Sequence, residues 1–564
     1  MKGEQYIGNM VKKLNLQWIS DVIGEDYKQW KDGDIIKIQA QTGTGKTRFI
    51  IGDKNNRGLV DNVNYFEKMI YICNRTELKR QVKLELLRKY NKKIEYIDKE
   101  NMQINTEWLD KQTVIENVTI ATYHAIAEGK LDNIYLNKNN SLDDYKYIVC
   151  DECHFFLTDS SYMNKTYLAF KELIQKSYNK PIRIFISATM QEVSNAIDKA
   201  LQNNNKKVLG RKREIYEYTS NIDYSYLNVK YFKKLETDIY QLIKNDDTED
   251  KWLIFVTSKE KGQALKEKLN DNSITAEFIH SSKRSKEKEN ILNTGTFYSK
   301  VLITTKCLDN GVNIKDDKVK NLVILAYDKV TFIQELGRKR FDILNAPILN
   351  LYIPMLSIKS FNTLLHRQDK KLNDLDLYKD NIEAFKRKYN DNTNYPKDLF
   401  HLNKDMEYTV NLLGYARLFN DNTFCQDIRD KLYDDKFAYI KEQLSWLGLE
   451  DTFDKNNLME DVVDVEEIER LEDFLEKAYK NDEKFTKEYF IETINKIIEK
   501  DSRMKKVLNE IDNRKNRKKG MKIYNKLFDK LQINYVVGSK VEKETIDGKR
   551  KNITHWIVLC VKDN

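Results

Sequence analysis

The sequence predicts two tandem α/β domains, each on a parallel sheet, followed by a mainly α-helical region that ends in a winged-helix-like β-hairpin. Three observations predict it. Short, nearly all-apolar runs alternate with longer helix-like stretches from residue 35 to about 200, as expected of strands buried on both faces of a parallel sheet. The alternation begins again after about residue 225, with no repeat of the sequence itself. Past about residue 356 the apolar runs stop and amphipathic helices dominate, which places accessory structure after two βα-type domains.

In the first half the strand candidates are "IIKIQA" (35–40), "KMIYICN" (68–74), "VTIAT" (118–122), "KYIVCDE" (146–152) and "IRIFISAT" (182–189). Helical stretches such as "TELKRQVKLELLRKY" (76–90) lie between them. In the second half they are "WLIFVTS" (252–258), "AEFIH" (276–280), "KVLITT" (300–305), "NLVILAY" (321–327) and "ILNLYI" (348–353). Near the end, Phe490, Ile494, Ile497 and Ile498 share one helical face. Two β-rich runs then flank "DGK" within residues 533–561, a hairpin turn signal. These patterns set expected limits of 1–215, 216–355, 356–500 and 501–564.

With 40% hydrophobic and 33% charged residues, the chain can build cores beneath a heavily charged surface. The net charge of +9 suits a polyanionic partner without selecting one. An acidic block at 460–476 holds nine Asp/Glu against one Arg, and a basic block at 505–530 holds ten Lys/Arg against three acids. No apolar run approaches the roughly 20 residues that span a bilayer. The N-terminal stretch lacks the apolar core of a secretion signal. Six irregularly spaced cysteines do not form a disulfide framework. A reduced, cytoplasmic protein with no membrane association is expected.

Two motifs carry chemistry. "AQTGTGKT" (Ala40, Gln41, Thr42, Gly43, Thr44, Gly45, Lys46, Thr47) follows a strand and opens a helix. Gly43 and Gly45 let the backbone curl so that its N–H groups face a polyphosphate. The helix N-terminus adds partial positive charge there. Lys46 supplies a point charge for the terminal phosphates, and Thr47 a hydroxyl for Mg2+. Ala40 stands where the general pattern has its first glycine. About a hundred residues on, "YIVCDECH" ends a strand in Asp151 and Glu152. Asp151 suits the far side of Mg2+, and Glu152 suits deprotonation of an attacking water. Cys150 and Cys153 have the spacing of half a zinc site. Zinc needs two more ligands, and no second CxxC or HxxxH exists in the sequence, so both are read as small packing residues.

In order, "AQTGTGKT", "DECH" (151–154), "SAT" (187–189), "FVTSK" (255–259), "TTKCLDNGVNI" (304–314) and "QELGRKR" (334–340), with "NRTELKRQ" (74–81) and "IATYHA" (120–125) between the first two, resemble the motifs of superfamily 2 helicases in their DExH-box (DEAD/DEAH-like) form. The resemblance covers residues 30 to about 355. It implies two RecA-like P-loop domains with ATP in the cleft between them. Lys46, Thr47, Asp151 and Glu152 would come from the first. From the second, Gln334 would order the water and Arg338 would act as an arginine finger. The resemblance places Asp309 and Gly311 near the nucleotide. It makes His154, Ser187 and Thr189 the relay between domains, and Arg75, Thr122, Ser258 and Thr305 the contacts to nucleic-acid phosphates. Each of those four, taken alone, is also what a strand-end cap looks like.

One motif departs from the family. Arg340 follows Arg338 by two residues, not three, which on a helix turns it by about 100°. Arg340 or Lys339 could serve as the second finger, or both could belong to a solvated helix face. No long separating hairpin fits between Ile314 and Gln334. The basic block and Lys549, Arg550 and Lys551 are candidates for further phosphate contacts. The expected function is an Mg2+-dependent, nucleic-acid-stimulated ATPase that moves along or unwinds DNA or RNA, held over a single-stranded tract, with protein partners through the C-terminal region. The alternatives are a translocase or remodeller in a phage-defence, restriction or mobile-element complex without strand separation, and a nucleic-acid-binding scaffold with a vestigial ATPase.

Overall fold

The apolar runs of the first half become the strands of one sheet because both of its faces are covered. In the computed structural model these are β1 (Ile35–Gln39), β2 (Met69–Cys73), β3 (Val114–Ile115), β4 (Val118–Thr122), β5 (Tyr147–Asp151), β6 (Ile182–Ser187) and β7 (Ile215–Thr219). The structure describes residues 11–12, 14–98, 103–129, 141–161, 166–176, 178–202, 211, 213–280, 286–305, 313–389, 394–402, 407–459, 465–500, 502–512, 520–531, 533–546 and 549–561. The strand order is β7-β1-β6-β5-β2-β4-β3, parallel throughout except for the β3–β4 pair. Parallel neighbours need crossovers. The helices α1 (Lys46–Ile51), α2 (Thr76–Lys89), α3 (Phe155–Thr158) and α4 (Met190–Gln202) lie on these connections. Side chains alternate between the faces: Ile36, Tyr71, Val149 and Ile184 enter one core, and Ile35, Ile72, Ile148 and Phe185 the other.

Register then fixes the site. Gln39 pairs with Ser187 and Asp151 with Ile186. The phosphate-loop start, the acidic pair and the "SAT" turn therefore lie side by side at the C-terminal edge of the sheet.

The second sheet holds β8 (Leu227–Phe232), β9 (Lys251–Phe255), β10 (Ala276–Ile279), β11 (Val301–Thr304), β12 (Val319–Ile324) and β13 (Leu349–Pro354). Its order is β8-β13-β12-β9-β11-β10, all parallel. The helix α5 (Lys329–Leu336) follows β12. Three of the strands, the two-residue β3 and the longer β7 and β8, were not among the expected runs. Both β7 and β8 lie at a sheet edge and interrupt buried residues with exposed ones, so neither reads as a continuous apolar run. The first sheet, through β7, continues past the expected limit at residue 215.

After the second sheet come α6 (Ile358–Asp380), a short antiparallel pair Phe400–Leu402 with Tyr408–Val410, α7 (Leu412–Asp434) and α8 (Ala438–Ser445). Packing divides the chain after Met459, not at residue 500. In the second unit, α9 (Val465–Lys480), α10 (Lys487–Lys500), α11 (Ser502–Ile511) and α12 (Met521–Lys530) share one core with the hairpin β14 (Tyr535–Ile546) and β15 (Lys549–Cys560). Phe490, Ile494 and Ile498 are buried in it, and Trp556 of the hairpin packs on Phe490. The register pairs Ile546 with Lys549. The turn residues 547–548 lie outside the described residues, as do the side chains of Lys549, Arg550 and Lys551 and much of the basic block. No helix among the described residues is long and apolar enough to cross a membrane.

Candidate nucleotide site

Backbone conformation explains the glycines of the phosphate loop. Gly43 has φ +95° and Gly45 φ +82°, the left-handed region that side chains disfavour. Space is short as well: a Cβ on Gly45 would lie 3.0 Å from the Trp18 ring. Ala40 needs no glycine, because it continues the strand pairing, with its N–H donating to Ser187 O at 3.2 Å. Gln41 is tied to the chain after β7: its Nε2 donates to Asp223 O and its Oε1 accepts from Asp223 N. The Thr44 hydroxyl donates to Gln41 O. Lys46, the first residue of α1, donates to Ala40 O at 3.2 Å and so lies over the loop.

Asp151 is the last residue of β5 and is buried. Its Oδ2 accepts from the Tyr71 hydroxyl at 2.6 Å and its Oδ1 from Glu152 N at 3.0 Å. Glu152 adopts φ +50°, a strained conformation for a side-chain-bearing residue and one that collects at functional sites. Its Oε2 lies 3.2 Å from His154 Nδ1. That nitrogen is 3.1 Å from Ser187 Oγ, which accepts from Thr189 N at 3.0 Å. Glu152, His154, Ser187 and Thr189 thus form one polar chain from the acidic pair to the "SAT" turn. Burial and the neighbouring Glu152 push the Asp151 carboxyl up, to about 6. Burial works the same way on Glu152, but Lys46, His154 and Arg338 outweigh it and hold that carboxylate below its usual range.

The second domain closes the site with α5 and the segment after it. Asp328 caps α5, its Oδ1 accepting from Thr331 N at 2.9 Å. Arg338 Nη2 donates to Gln334 Oε1 at 3.2 Å. The helix ends at Leu336, which corrects the expectation for Arg340. Residues 338–340 run beside Ile314: Ile314 N donates to Arg338 O at 2.9 Å, and Arg340 N to Ile314 O at 2.8 Å. In extended backbone, side chains two apart share a side. Arg338 and Arg340 accordingly line the same cavity, and the 100° offset of a helix does not arise. Lys339 is buried, not part of a solvated helix face. It does not line that cavity, its Nζ donates to Arg340 O, and burial lowers its pKa to about 8.

The cavity measures about 710 Å³. Lys46, Thr47, Asp151, Glu152 and His154 line it from the first domain, and Gln334, Arg338 and Arg340 from the second. Domain contact extends to the loop itself. A Cβ on Gly337 would lie 2.8 Å from Thr42 Oγ1, and one on Gly43 3.1 Å from the Ile343 side chain. Arg338 Nε is buried with no hydrogen-bond partner among the described residues. The donors fit a magnesium–triphosphate group: Thr47 and Asp151 offer the hard oxygens Mg2+ takes, and the cations Lys46, Arg338 and Arg340 line the same cavity.

Of the four residues expected to touch nucleic acid, Thr122 ends β4, and Arg75, Ser258 and Thr305 follow the C-terminal ends of β2, β9 and β11. Thr122 Oγ1 accepts from Ala125 N, and Ser258 Oγ from Lys261 N. Thr305 O accepts from the Thr304 hydroxyl. Arg75 Nη2 lies 2.5 Å from the buried Asp159 Oδ2, and Arg75 also lines the nucleotide cavity. Asp309 and Gly311 lie outside the described residues. Cys150 and Cys153 are fully buried core residues. Sequence reasoning missed Trp18, Asp159 and Asn313. Asn313 Oδ1 accepts from Arg340 Nε at 2.7 Å, and only its place within "TTKCLDNGVNI" could have marked it.

Residues 21–197 match the DEAD/DEAH box helicase family, and residues 234–340 match the helicase conserved C-terminal domain. No curated protein matches the chain. Similar solved structures include S. cerevisiae Dbp5 bound to RNA and ADP BeF3, at 17% identity over 62% of this chain and 90% of that one, with a TM-score of 0.40. The Mycobacterium smegmatis helicase Lhr bound to ssDNA and AMP-PNP matches at 13% identity over 60% of this chain and 45% of that one, with a TM-score of 0.39. Mss116p bound to ssRNA and AMP-PNP matches at 15% identity over 79% of this chain and 92% of that one, with a TM-score of 0.42. Across residues 21–340 the chain belongs to the DEAD/DEAH box helicases, with both helicase domains in tandem.

Proposed function

We propose that the chain is an Mg2+-dependent ATPase, stimulated by nucleic acid, that couples ATP hydrolysis to movement along DNA or RNA or to its unwinding. The observation that carries this reading is the single cavity lined by Lys46, Asp151 and Glu152 from one domain and by Gln334, Arg338 and Arg340 from the other. Lys46 and the loop amides bind the phosphates, and Thr47 and Asp151 hold Mg2+. The metal, when bound, neutralises phosphate charge and orients the terminal group. Glu152 accepts the proton of the attacking water, with His154 fixing its carboxylate. Gln334 orders that water. Arg338, joined by Arg340, stabilises charge on the transferring phosphoryl group, a role worth roughly 10³–10⁵ in rate. Because both arginines belong to the second domain, hydrolysis depends on the domains meeting. A strand laid along the C-terminal sheet edges, near Arg75, Thr122, Ser258 and Thr305, would bias that meeting.

One observation favours translocation without strand separation. Between Ile314 and Gln334 the chain forms only β12 and the start of α5, so no separating hairpin lies there. Release of a labelled strand from tailed and blunt duplexes decides between the two.

The central test is ATP turnover against single- and double-stranded DNA and RNA, for the wild type and Glu152→Gln. Turnover should rise with at least one nucleic acid and fall by at least about 10²-fold in the variant, with ATP binding retained. Unchanged turnover in Glu152→Gln would remove Glu152 from the mechanism.

A further inference from the structure

Both family matches end by residue 340, yet a side chain of the later helical region enters the junction between the two helicase domains. The helix α7 is anchored in both. At its start, Leu413 belongs to the core that holds Phe155 and Leu157 of the first domain, and Asn411 Nδ2 donates to Ser160 O. Further along, Cys425, Ile428 and Leu432 belong to the core of the second sheet. A helix of this length spans about 34 Å, and it crosses from one domain to the other.

Arg417 sits between these anchors, with its side chain 15% exposed. Its Nη1 donates to Leu157 O at 3.4 Å and to Thr158 O. These carbonyls end α3, the helix that directly follows the "DECH" turn. Its Nε lies 3.3 Å from Asp421 Oδ2. The groups that act on its charge include Asp328 and Tyr327 of the second domain as well as Asp421. Burial works against the guanidinium charge, but the two aspartates outweigh it and raise its pKa. Asp328 is the N-cap of α5, which carries Gln334 and leads into Arg338. The next residue after Thr158, Asp159, holds Arg75.

We infer that Arg417 is a positioning residue: it holds α7, which Cys425, Ile428 and Leu432 seat in the core of the second domain, against the end of the "DECH" helix in the first, so that α7 sets how Gln334 and Arg338 meet Glu152. The inference rests on the ATPase reading above. A residue that only filled space here would affect stability, and any loss of rate would follow the loss of fold. A positioning residue lowers kcat while leaving the binding of ATP to Lys46 and the loop in place.

The experiment uses the full chain as wild type, Arg417→Ala, Arg417→Lys, Asp328→Asn and the Arg417→Ala/Asp328→Asn double variant. Thermal unfolding, affinity for a fluorescent ATP analogue, and kcat and KM at saturating nucleic acid are measured for each. Arg417→Ala should lose at least about tenfold in kcat, with KM and analogue affinity within about twofold of wild type. Lysine keeps the charge but not the fork that reaches two carbonyls, so Arg417→Lys should recover only part of the rate. Asparagine can still cap Thr331 but no longer bears the charge that acts on Arg417, so Asp328→Asn should show a milder loss of the same kind. The double variant should be no slower than Arg417→Ala alone. Unchanged kcat in Arg417→Ala overturns the inference. If that variant fails to fold, unchanged kcat in Asp328→Asn does so instead, and losses that add independently in the double variant also overturn it. Absence of any ATP turnover in the wild type is a different result: it removes the ATPase reading, and this inference with it.

Discussion

Three consecutive cations, Arg338, Lys339 and Arg340, are sorted by one stretch of backbone. Pairing with Ile314 puts both arginines on the cavity side and leaves Lys339 buried elsewhere. Burial lowers the Lys339 pKa to about 8, with Asp317 and Asp316 only partly opposing. Its unfolded value is about 10.4, so between pH 8 and about 10.4 the unfolded chain binds more protons than the folded one. Stability therefore rises with pH across that window, and below pH 8 the folded state carries the whole burden, about 3 kcal/mol. Lys339→Met should raise the unfolding midpoint at pH 7 by urea titration, and the gain should shrink toward pH 10. A loss at pH 7 would mean that the amine's bond to Arg340 O outweighs its desolvation. The sorting was not legible in "QELGRKR". Gly337 gives no stop signal of its own: its φ is −67°, within the helical range, and glycine is needed there for the close approach to Thr42. The offset of Arg340 is a problem only if the helix continues, and a tertiary contact ends it.

At the scale of elements, local pattern gave away whatever was buried on two faces. Nine of the ten apolar runs of the two halves are inner strands, and the tenth, β10, is an edge strand that still buries three of its four residues; the phosphate loop and acidic pair follow from where two of the runs end. The edge strands β7 and β8 were hidden because exposed polar residues, Glu217 and Thr219 in one and Asn228 in the other, interrupt their apolar ones. The role of α7 was hidden for the opposite reason: it packs on α6, on α3 and on the second sheet, and buries Asn422 along with Leu418 and Ile428, so no single apolar face marks it. Its start depends on Gly414, where a Cβ would lie 1.9 Å from Asp398 O. That oxygen is backbone and cannot swing aside, so the helix must move. Gly414→Ala should cost about 2–3 kcal/mol, the upper range for overpacking, read as a lower thermal midpoint. It should also draw Leu413 and Arg417 from α3, so ATP turnover should fall in the fraction that remains folded. Stability equal to wild type would show that α7 is not seated as described.

For the whole molecule, the division after Met459 separates chemistry from whatever the last hundred residues contribute. Residues 1–459 contain every cavity-lining residue of the nucleotide site. Residues 460–564 have a core of their own, with Leu475, Phe490, Tyr524 and Phe528 packed under the hairpin residue Trp556, and a domain of this size can fold alone. Expressed separately, 460–564 should be helical by circular dichroism and unfold in one cooperative transition. The fragment 1–459 should keep the thermal stability and unstimulated ATP turnover of the full chain. If the basic block and hairpin meet phosphates, each lost contact removes released counterions. The fragment should then bind nucleic acid more weakly than the full chain, and its log K should fall less steeply with log salt. Equal affinity and equal slope would take residues 460–564 off the nucleic-acid path and leave their basic block as a solvated surface or a docking face for another protein.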